Sequence, residues 1–202
     1  LEYAVVEIVD PGENGTLKAG DKLLVADSLA AGVMAACGVG DSKTIIHIKG
    51  ADLQGTICHH PLHGKGYDFD VPLLPGDHVT EDDGTGLVHT APGHGVEDFI
   101  VGQAYGIEVP RTVEGNGCYY QHVPLFAGQH VYKADGPVKE ALTAAGDLIA
   151  SDTLVHSYPH SWRSKAPLIY RTTPQWFISM ETNDLRAKVL AAIDETAFYP
   201  AS

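Results

Sequence analysis

Residues 84–99 read GTGLVHTAPGHGVEDF, and this run decides how the whole chain is interpreted. The two glycines that flank Thr85 suit a tight turn, because glycine adopts positive φ without a steric penalty. Leu87 and Val88 favour a strand that ends at His89. The Pro92-Gly93 pair breaks that strand. The run therefore predicts a turn, a short strand, a bend and then a helix.

The helix after the bend is predicted from the spacing of its apolar residues. These recur at helical intervals and are Val96, Phe99, Ile100 and Ala104. Gly106 stands where a glycine commonly ends a helix. The same spacing places Asp98 in the first turn, where the helix dipole and the free N–H groups favour an ionised carboxylate. An ionised carboxylate facing a cleft is a good receptor for an ammonium group. The alternative is that Asp98 only caps the helix.

The complete run resembles the editing domain, called CP1, that is inserted in isoleucyl-tRNA synthetases, which are class I aminoacyl-tRNA synthetases. The family pattern is a GTG turn, the sequence VHTAPGHG, two variable residues and an aspartate, and all of it is present from Gly84 to Asp98. The related valyl and leucyl enzymes usually carry lysine or methionine at the position of His89. The histidine therefore points to the isoleucyl branch.

The resemblance extends over nearly the whole chain. Residues 71–80 resemble the family's approach to the GTG turn, and residues 126–131 resemble its next block. Residues 156–163 and 173–180 resemble the exit from the insertion. Their order and spacing together are more specific than any one of these segments.

The resemblance implies a domain organisation. Residues 1–180 would form the editing domain, and residues 181–202 would be a helix and a return segment toward the catalytic domain. The family's threonine-rich segment, TTPWTLPAN, is expected upstream of Leu1 and is not in this sequence. The HIGH and KMSKS signatures of amino-acid activation are also absent from the sequence. ATP and magnesium would therefore belong to a catalytic domain outside this chain, and the editing domain itself would need no cofactor.

The implied activity is hydrolysis of valine wrongly esterified to tRNA(Ile), in the cytoplasm and as part of a longer synthetase chain. Asp98 would bind the α-ammonium of the misattached amino acid. His89 would shape the pocket, exclude the larger side chain and help to orient water. The residues expected to line the pocket are Thr85, Gly86, Thr90, Gly93, His94 and Gly95.

Two other functions stay open from the sequence. One is a non-catalytic module that binds the acceptor end of tRNA, which the net charge of −13 and the missing threonine-rich segment favour for this chain in isolation. The other is a valyl-type editing domain acting on threonyl-tRNA(Val), although such a domain should carry lysine in place of His89.

Charge and cysteine content restrict the class of protein. Residues 1–162 carry 22 acidic and 8 basic side chains, whereas residues 163–202 carry 4 acidic and 5 basic ones. Because phosphate contacts need lysine and arginine, most tRNA affinity should come from outside this chain. The three cysteines are widely spaced and are expected to be buried thiols in a reducing cytosol. No apolar run approaches the ~20 residues of a membrane span.

The pattern elsewhere predicts many short strands and a few helices, hence a mixed α/β fold with a barrel-like β core and peripheral helices. Strands are expected within 3–9, 22–26, 44–49, 53–58, 67–74, 129–133, 149–156 and 168–172. A helix should run to Cys37, with Asp27 or Ser28 as its cap. Another should run from Asp135 to Gly146, and a last amphipathic helix should contain Leu185, Val189 and Ile193.

Several clusters have structural interpretations that outweigh chemical ones. Adjacent His59 and His60 would point to opposite faces of a strand, which argues against a metal site. Many synthetases of this family have the sequence CWRC where this chain has residues 161–164, SWRS, so no zinc is expected there. The acidic residues 81–83 are expected in a solvated loop, and the two tryptophans are expected to anchor packing.

Overall fold

The computed structural model describes residues 1–82 and 84–199. Its packing divides the chain into two units, Leu1–Thr172 and Thr173–Ser202. The boundary near Met180, which the family resemblance implies, stays a prediction.

An antiparallel three-stranded sheet forms the best-packed part of the first unit. Its strands are β1 (Glu2–Asp10), β2 (Lys22–Ala26) and β3 (Asp41–Lys49), with β1 in the centre. Alternate residues of β1 lie in the core, as a strand with one buried face requires. The core cluster consists of Ala4, Val6, Ile8, Leu17, Val25 and Met34. The strands predicted within 3–9, 22–26 and 44–49 are therefore confirmed.

A short 3₁₀ turn at Asp27–Leu29 leads from β2 into helix α1 (Ala30–Ala36). Neither Asp27 nor Ser28 is the N-cap, because the α-helix begins after the 3₁₀ turn with Leu29 as its cap and no side-chain cap bond. The predicted cap is therefore wrong, although the predicted helix is present.

A second sheet pairs β4 (Ile57–His59) with β5 (Asp70–Pro72) in antiparallel register. β5 lies within the predicted strand 67–74 but is much shorter, whereas β4 overlaps the predicted strand 53–58 only at Ile57 and Cys58. Next to them in sequence, the loop residue Leu62 joins Val123 and Phe126 in a second core cluster. Side chains of helix α3 (Asp135–Ala145) pack against this cluster.

The other helices agree with the sequence pattern. Helix α2 (Val96–Ala104) ends at Tyr105, and Gly106 follows with positive φ. Helix α3 ends at Gly146 in the left-handed conformation, although its N-cap is Ala134 and Asp135 is its first residue. In the second unit, helix α4 (Leu185–Asp194) follows a 3₁₀ turn at Thr182–Asp184. Two further 3₁₀ turns lie at Gly50–Leu53 and Val131–Lys133.

Four predicted strands are wrong. Residues 87–89, 149–156 and 168–172 are irregular, and residues 129–133 contain the 3₁₀ turn instead. A run of β-branched residues becomes a strand only where a partner strand accepts its hydrogen bonds. In these parts of the chain, strand pairing is limited to isolated β-bridges, such as those between Cys118 and His130 and between His160 and Pro167.

Two predictions of burial are also wrong. Trp162 is 77% exposed and Trp176 is fully exposed, so neither anchors a core. Cys37, Cys58 and Cys118 are free and only partly buried. A turn lies at residues 114–117, where the N–H of Gly117 donates to the carbonyl of Glu114 at 3.1 Å.

The fold class is therefore mixed α/β. Among the described residues, the five strands form two open sheets and no closed barrel. No helix in the described part of the chain is both long and apolar enough to cross a bilayer.

Candidate functional site

The GTG turn is attached directly to the central sheet. The N–H of Ala26, at the end of β2, donates to the carbonyl of Thr85 at 2.8 Å. The hydroxyl of Tyr3, on β1, donates to the carbonyl of Gly86 at 2.8 Å in a buried bond. Gly86 is itself buried. The turn therefore fixes where the following residues start relative to the sheet.

The segment after the turn leaves the sheet as irregular chain. The hydroxyl of Thr85 accepts from the N–H of Leu87 at 3.3 Å, which curls the chain back on the turn instead of extending it as a strand. His89 is exposed and Thr90 is half-buried. Both therefore lie on a loop between the sheet and helix α2, where side chains can reach a ligand.

The bend and helix α2 pack closely on each other. The N–H of His94 donates to the carbonyl of Ala91 at 2.9 Å, which closes the turn. Gly102 is buried against Pro92, and a β-carbon there would lie 2.6 Å from the proline Cγ. This contact sets the angle between the loop and the helix.

The apolar stripe of α2 does not face the core. Val96 is 72% exposed, Ile100 61% and Phe99 44%. The spacing of the apolar residues predicted the helix correctly, but the side of the helix that packs on the rest of the chain is the one that carries Gly102, against Pro92.

Asp98 lies in the first turn of α2, as predicted, and is half-buried. Its Oδ2 accepts from the N–H of Ala91 at 3.1 Å, so the carboxylate ties the helix start back to the loop. It comes so close to Gly95 that a β-carbon there would be 2.9 Å from Oδ2. In the described part of the chain this is the carboxylate's one hydrogen bond, and Oδ1 remains available to a ligand. The side chain therefore orders the loop and does not cap its own helix.

His60 is partly buried, and His89 contributes to its electrostatic surroundings. The Nδ1 of His60 accepts from the N–H of Leu62 at 3.0 Å, and its ring stacks on Tyr67 with centroids 4.7 Å apart. Partial burial, and then the positive charge of His89, lower the pKa of His60 below its usual value. Because the bond at Nδ1 requires an acceptor there, the neutral ring carries its proton on Nε2. No pattern in the sequence links these two histidines.

This lowered pKa predicts a loss of stability in mild acid. Because His60 is harder to protonate in the folded state, the unfolded chain binds more protons than the folded one as the pH falls below about 6.5. The contribution of His60 to stability is therefore full above that pH and is lost as the pH falls below it. His60→Asn keeps an acceptor near the Nδ1 position but does not titrate. We expect urea unfolding of this variant to depend less on pH between 7 and 5 than that of the wild type. An unchanged pH dependence would contradict the lowered pKa of His60.

Thr172 is a residue that the sequence pattern did not single out for the site. Its hydroxyl lies 2.8 Å from where a β-carbon on Gly93 would be, and Val109 lies on the same side of that glycine. Gly93 thus allows the bend to approach a distant segment of the first unit. A contact across this sequence separation leaves no local pattern.

His94 differs from the other motif residues because it lines a cavity of about 320 Å³. Within the described chain, neither His89 nor Asp98 lines that cavity. The structure therefore brings the motif residues together on one loop and helix start, with His94 directed toward a separate recess.

The clusters outside the motif give no metal centre among the described residues. No group of three or more His, Cys, Asp or Glu side chains there is arranged to hold a metal ion. His59 packs on His63, with ring centroids 4.6 Å apart. Ser161 and Ser164 are joined by a hydrogen bond in which the N–H of Ser164 donates to the hydroxyl oxygen of Ser161. Glu81 and Asp82 are exposed as expected, and Asp83 lies outside the described residues.

Comparison with known proteins gives consistent relatives, although no protein-family model matches the chain. It is 48% identical over 200 residues to an isoleucine–tRNA ligase of Pelagibacter ubique, covering 99% of this chain and 22% of that protein. It is 46% identical to the isoleucine–tRNA ligase of Gluconobacter oxydans and 48% identical to that of Photobacterium profundum, again over 99% of this chain. The chain spans about a fifth of the length of these relatives.

Proposed function

We propose that this chain is an editing domain. It is homologous to one segment of the isoleucine–tRNA ligases, and this homology confirms the resemblance inferred from its sequence. Its substrate would be tRNA(Ile) wrongly esterified with valine, and its reaction would be hydrolysis of that ester. The observation that supports this most strongly is Asp98, which is held at a helix start against the loop of His89 with one carboxylate oxygen available.

The need for such a reaction is physical. A pocket that fits isoleucine discriminates only weakly against a side chain one methylene smaller, and isoleucyl-tRNA synthetase is a standard example of this limit. A second, smaller pocket that admits valine and excludes isoleucine removes the error. The domain would act on the acceptor end of tRNA, as part of a longer synthetase chain in the cytoplasm.

The proposed chemistry uses water and the chain's own groups. The helix start favours the ionised form of the Asp98 carboxylate, and that carboxylate would bind the ammonium and so position the ester carbonyl beside the loop of residues 89–95. Backbone groups of this loop, with the hydroxyls of Thr85 and Thr90, would line the pocket. An aminoacyl ester is already reactive, so positioning a water against it suffices and no cofactor is required. His89 would limit the size of the side chain that enters.

The barrel-like core also belongs to this proposal. The three-stranded sheet of β1, β2 and β3 carries the GTG turn at the end of β2. We propose that this sheet is one wall of the family's barrel-like core.

The direct test is hydrolysis of valyl-tRNA(Ile) and isoleucyl-tRNA(Ile) by the complete gene product that carries this chain. We expect the valyl ester to be hydrolysed faster by about 10- to 200-fold, the range that one methylene allows a single pocket. Equal rates for the two esters would contradict isoleucyl-type editing. Faster hydrolysis of threonyl-tRNA(Val) would favour the valyl-type alternative, and no hydrolysis of any of these esters would favour a binding module.

A further inference from the structure

Tyr3 joins the centre of the sheet to the GTG turn, 83 residues later in the sequence. It lies on the central strand β1, and its hydroxyl donates to the carbonyl of Gly86 at 2.8 Å in a buried bond. In the described part of the chain, the other hydrogen bond from the sheet to the turn joins backbone atoms, the N–H of Ala26 and the carbonyl of Thr85. Among the described residues, Tyr3 is therefore the side chain of the sheet that bonds to the turn.

The ring of Tyr3 is enclosed by the sheet. Its side chain is 8% exposed, and the residue pairs with Ala26 of β2 and with Ile48 of β3. Just after β3, Gly50 approaches the ring so closely that a β-carbon there would lie 3.0 Å from Cε2. Because a closely packed ring cannot readily adopt another rotamer, the hydroxyl is directed to one place.

The hydroxyl stays a hydrogen-bond donor. Burial, and then the negative charge of Glu81, raise the pKa of Tyr3 above its usual value. Its acceptor belongs to Gly86, which is itself buried. Without the hydroxyl, that carbonyl would have no hydrogen-bond partner in the described structure, and a buried acceptor without a partner is unfavourable. The turn would then have to shift to find one.

The loop that follows depends on where the turn is held. His89 comes three residues after Gly86, and three residues span at most about 11 Å of extended chain. Two residues further on, the N–H of Ala91 donates to the Asp98 carboxylate at 3.1 Å. A shift of the turn would therefore move His89 and strain the contact that joins the loop to the start of α2. A misplacement of about 1 Å in a catalytic site can cost about 100-fold in rate.

We propose that Tyr3 is a positioning residue for the proposed hydrolysis. Its hydroxyl holds the GTG turn against β1, and the turn holds the loop of His89 in register with the start of helix α2. The reaction in this inference rests on the proposed function, whereas the role of Tyr3 rests on its bond to Gly86. Because the hydroxyl is buried, it acts through the turn and takes no part in the chemical step.

The test removes only the hydroxyl. Tyr3→Phe is made in the complete gene product and keeps the ring in the sheet. Tyr67→Phe is the matched control, because the hydroxyl of Tyr67 also donates to a backbone carbonyl, that of Pro124 at 2.9 Å, but not to the turn. For each variant, kcat and KM are measured for valyl-tRNA(Ile), and hydrogen–deuterium exchange is measured on peptides from residues 84–98 and from the three-stranded sheet.

We expect Tyr3→Phe to lower kcat by about 10- to 100-fold. KM should change little, since most tRNA affinity should come from outside this chain. Exchange in residues 84–98 should become roughly 2- to 10-fold faster, the effect of one lost hydrogen bond, while exchange in the sheet stays as in the wild type. Tyr67→Phe should match the wild type in kcat and in the exchange of residues 84–98.

Three results would overturn the role of Tyr3. These are an unchanged kcat in Tyr3→Phe, an equal loss of kcat in both variants, and a loss of kcat without faster exchange in residues 84–98. Hydrolysis by the wild type tests the proposed function separately. If the wild type hydrolyses none of the esters, editing fails, and the exchange measurement still decides whether Tyr3 holds the loop.

Discussion

Asp98→Ala should lower kcat/KM for hydrolysis of valyl-tRNA(Ile) by about 100-fold or more. Removing one member of a closely bonded charge pair costs 2–5 kcal/mol or more, roughly 30- to 5000-fold in rate or affinity. The expected loss combines the missing carboxylate for the substrate ammonium with the missing bond to the N–H of Ala91. The measurement is steady-state deacylation by the complete gene product.

Two variants separate these contributions. Asp98→Asn can still accept from Ala91 through its amide oxygen but has no charge for the ammonium. Glu97→Gln removes an exposed carboxylate from the same helical turn, one residue away, and should leave hydrolysis unchanged. If the charge binds the ammonium, Asp98→Asn will be nearly as inactive as Asp98→Ala.

A different order of activities would change the interpretation. If Asp98→Asn hydrolyses the ester like the wild type, the carboxylate serves only to order the loop. If all three variants are as active as the wild type, the editing site does not include the start of α2. An effect of Glu97→Gln as large as that of Asp98→Ala would indicate a general contribution of negative charge.

The second large effect is on stability, and it concerns Gly86. We expect Gly86→Ala to lower the free energy of unfolding by about 2–5 kcal/mol. About 1–2 kcal/mol would come from placing a β-carbon at φ +73°, and about 1–3 kcal/mol from overlap with the side chain of Ala26. The overlap falls where the Tyr3 hydroxyl also bonds to the turn, so little room exists for relaxation.

Gly84→Ala is the matched control. Gly84 has the same φ of +73°, but a β-carbon there would meet no atom of the described structure within 4 Å. It should therefore cost only the backbone strain, and the difference between the two variants should be about 1–3 kcal/mol. Urea unfolding of both gives the comparison. Equal losses would mean that the GTG turn is not packed on the end of β2 as the structure has it.

Local interactions determined what the sequence alone could predict. Helices α2 and α3 follow from apolar spacing and from a glycine placed just after each, because a helix makes its hydrogen bonds within one segment. The first turn of α2 fixed the position of Asp98 for the same reason. Strands β1, β2 and β3 were found because their alternating residues form one core.

Tertiary structure decided everything that depends on a partner distant in sequence. The run at residues 87–89 has the composition of a strand, but its bonds go to the turn at Thr85 and not to a neighbouring strand. The stripe of α2 has core composition, yet the helix packs through Gly102 on Pro92. The approach of Thr172 to Gly93 and the cavity that His94 lines likewise join residues far apart in sequence.

The difference between what the sequence predicted and what only the tertiary structure decided has one physical reason. Spacing along a chain reports which side chains can share a face, whereas which face is buried depends on contacts between segments that are far apart in sequence. The motif and its charged residue were thus fixed by residues 84–99 alone. The surfaces that surround them, including the pocket beside His94, exist only because the chain folds back on that motif.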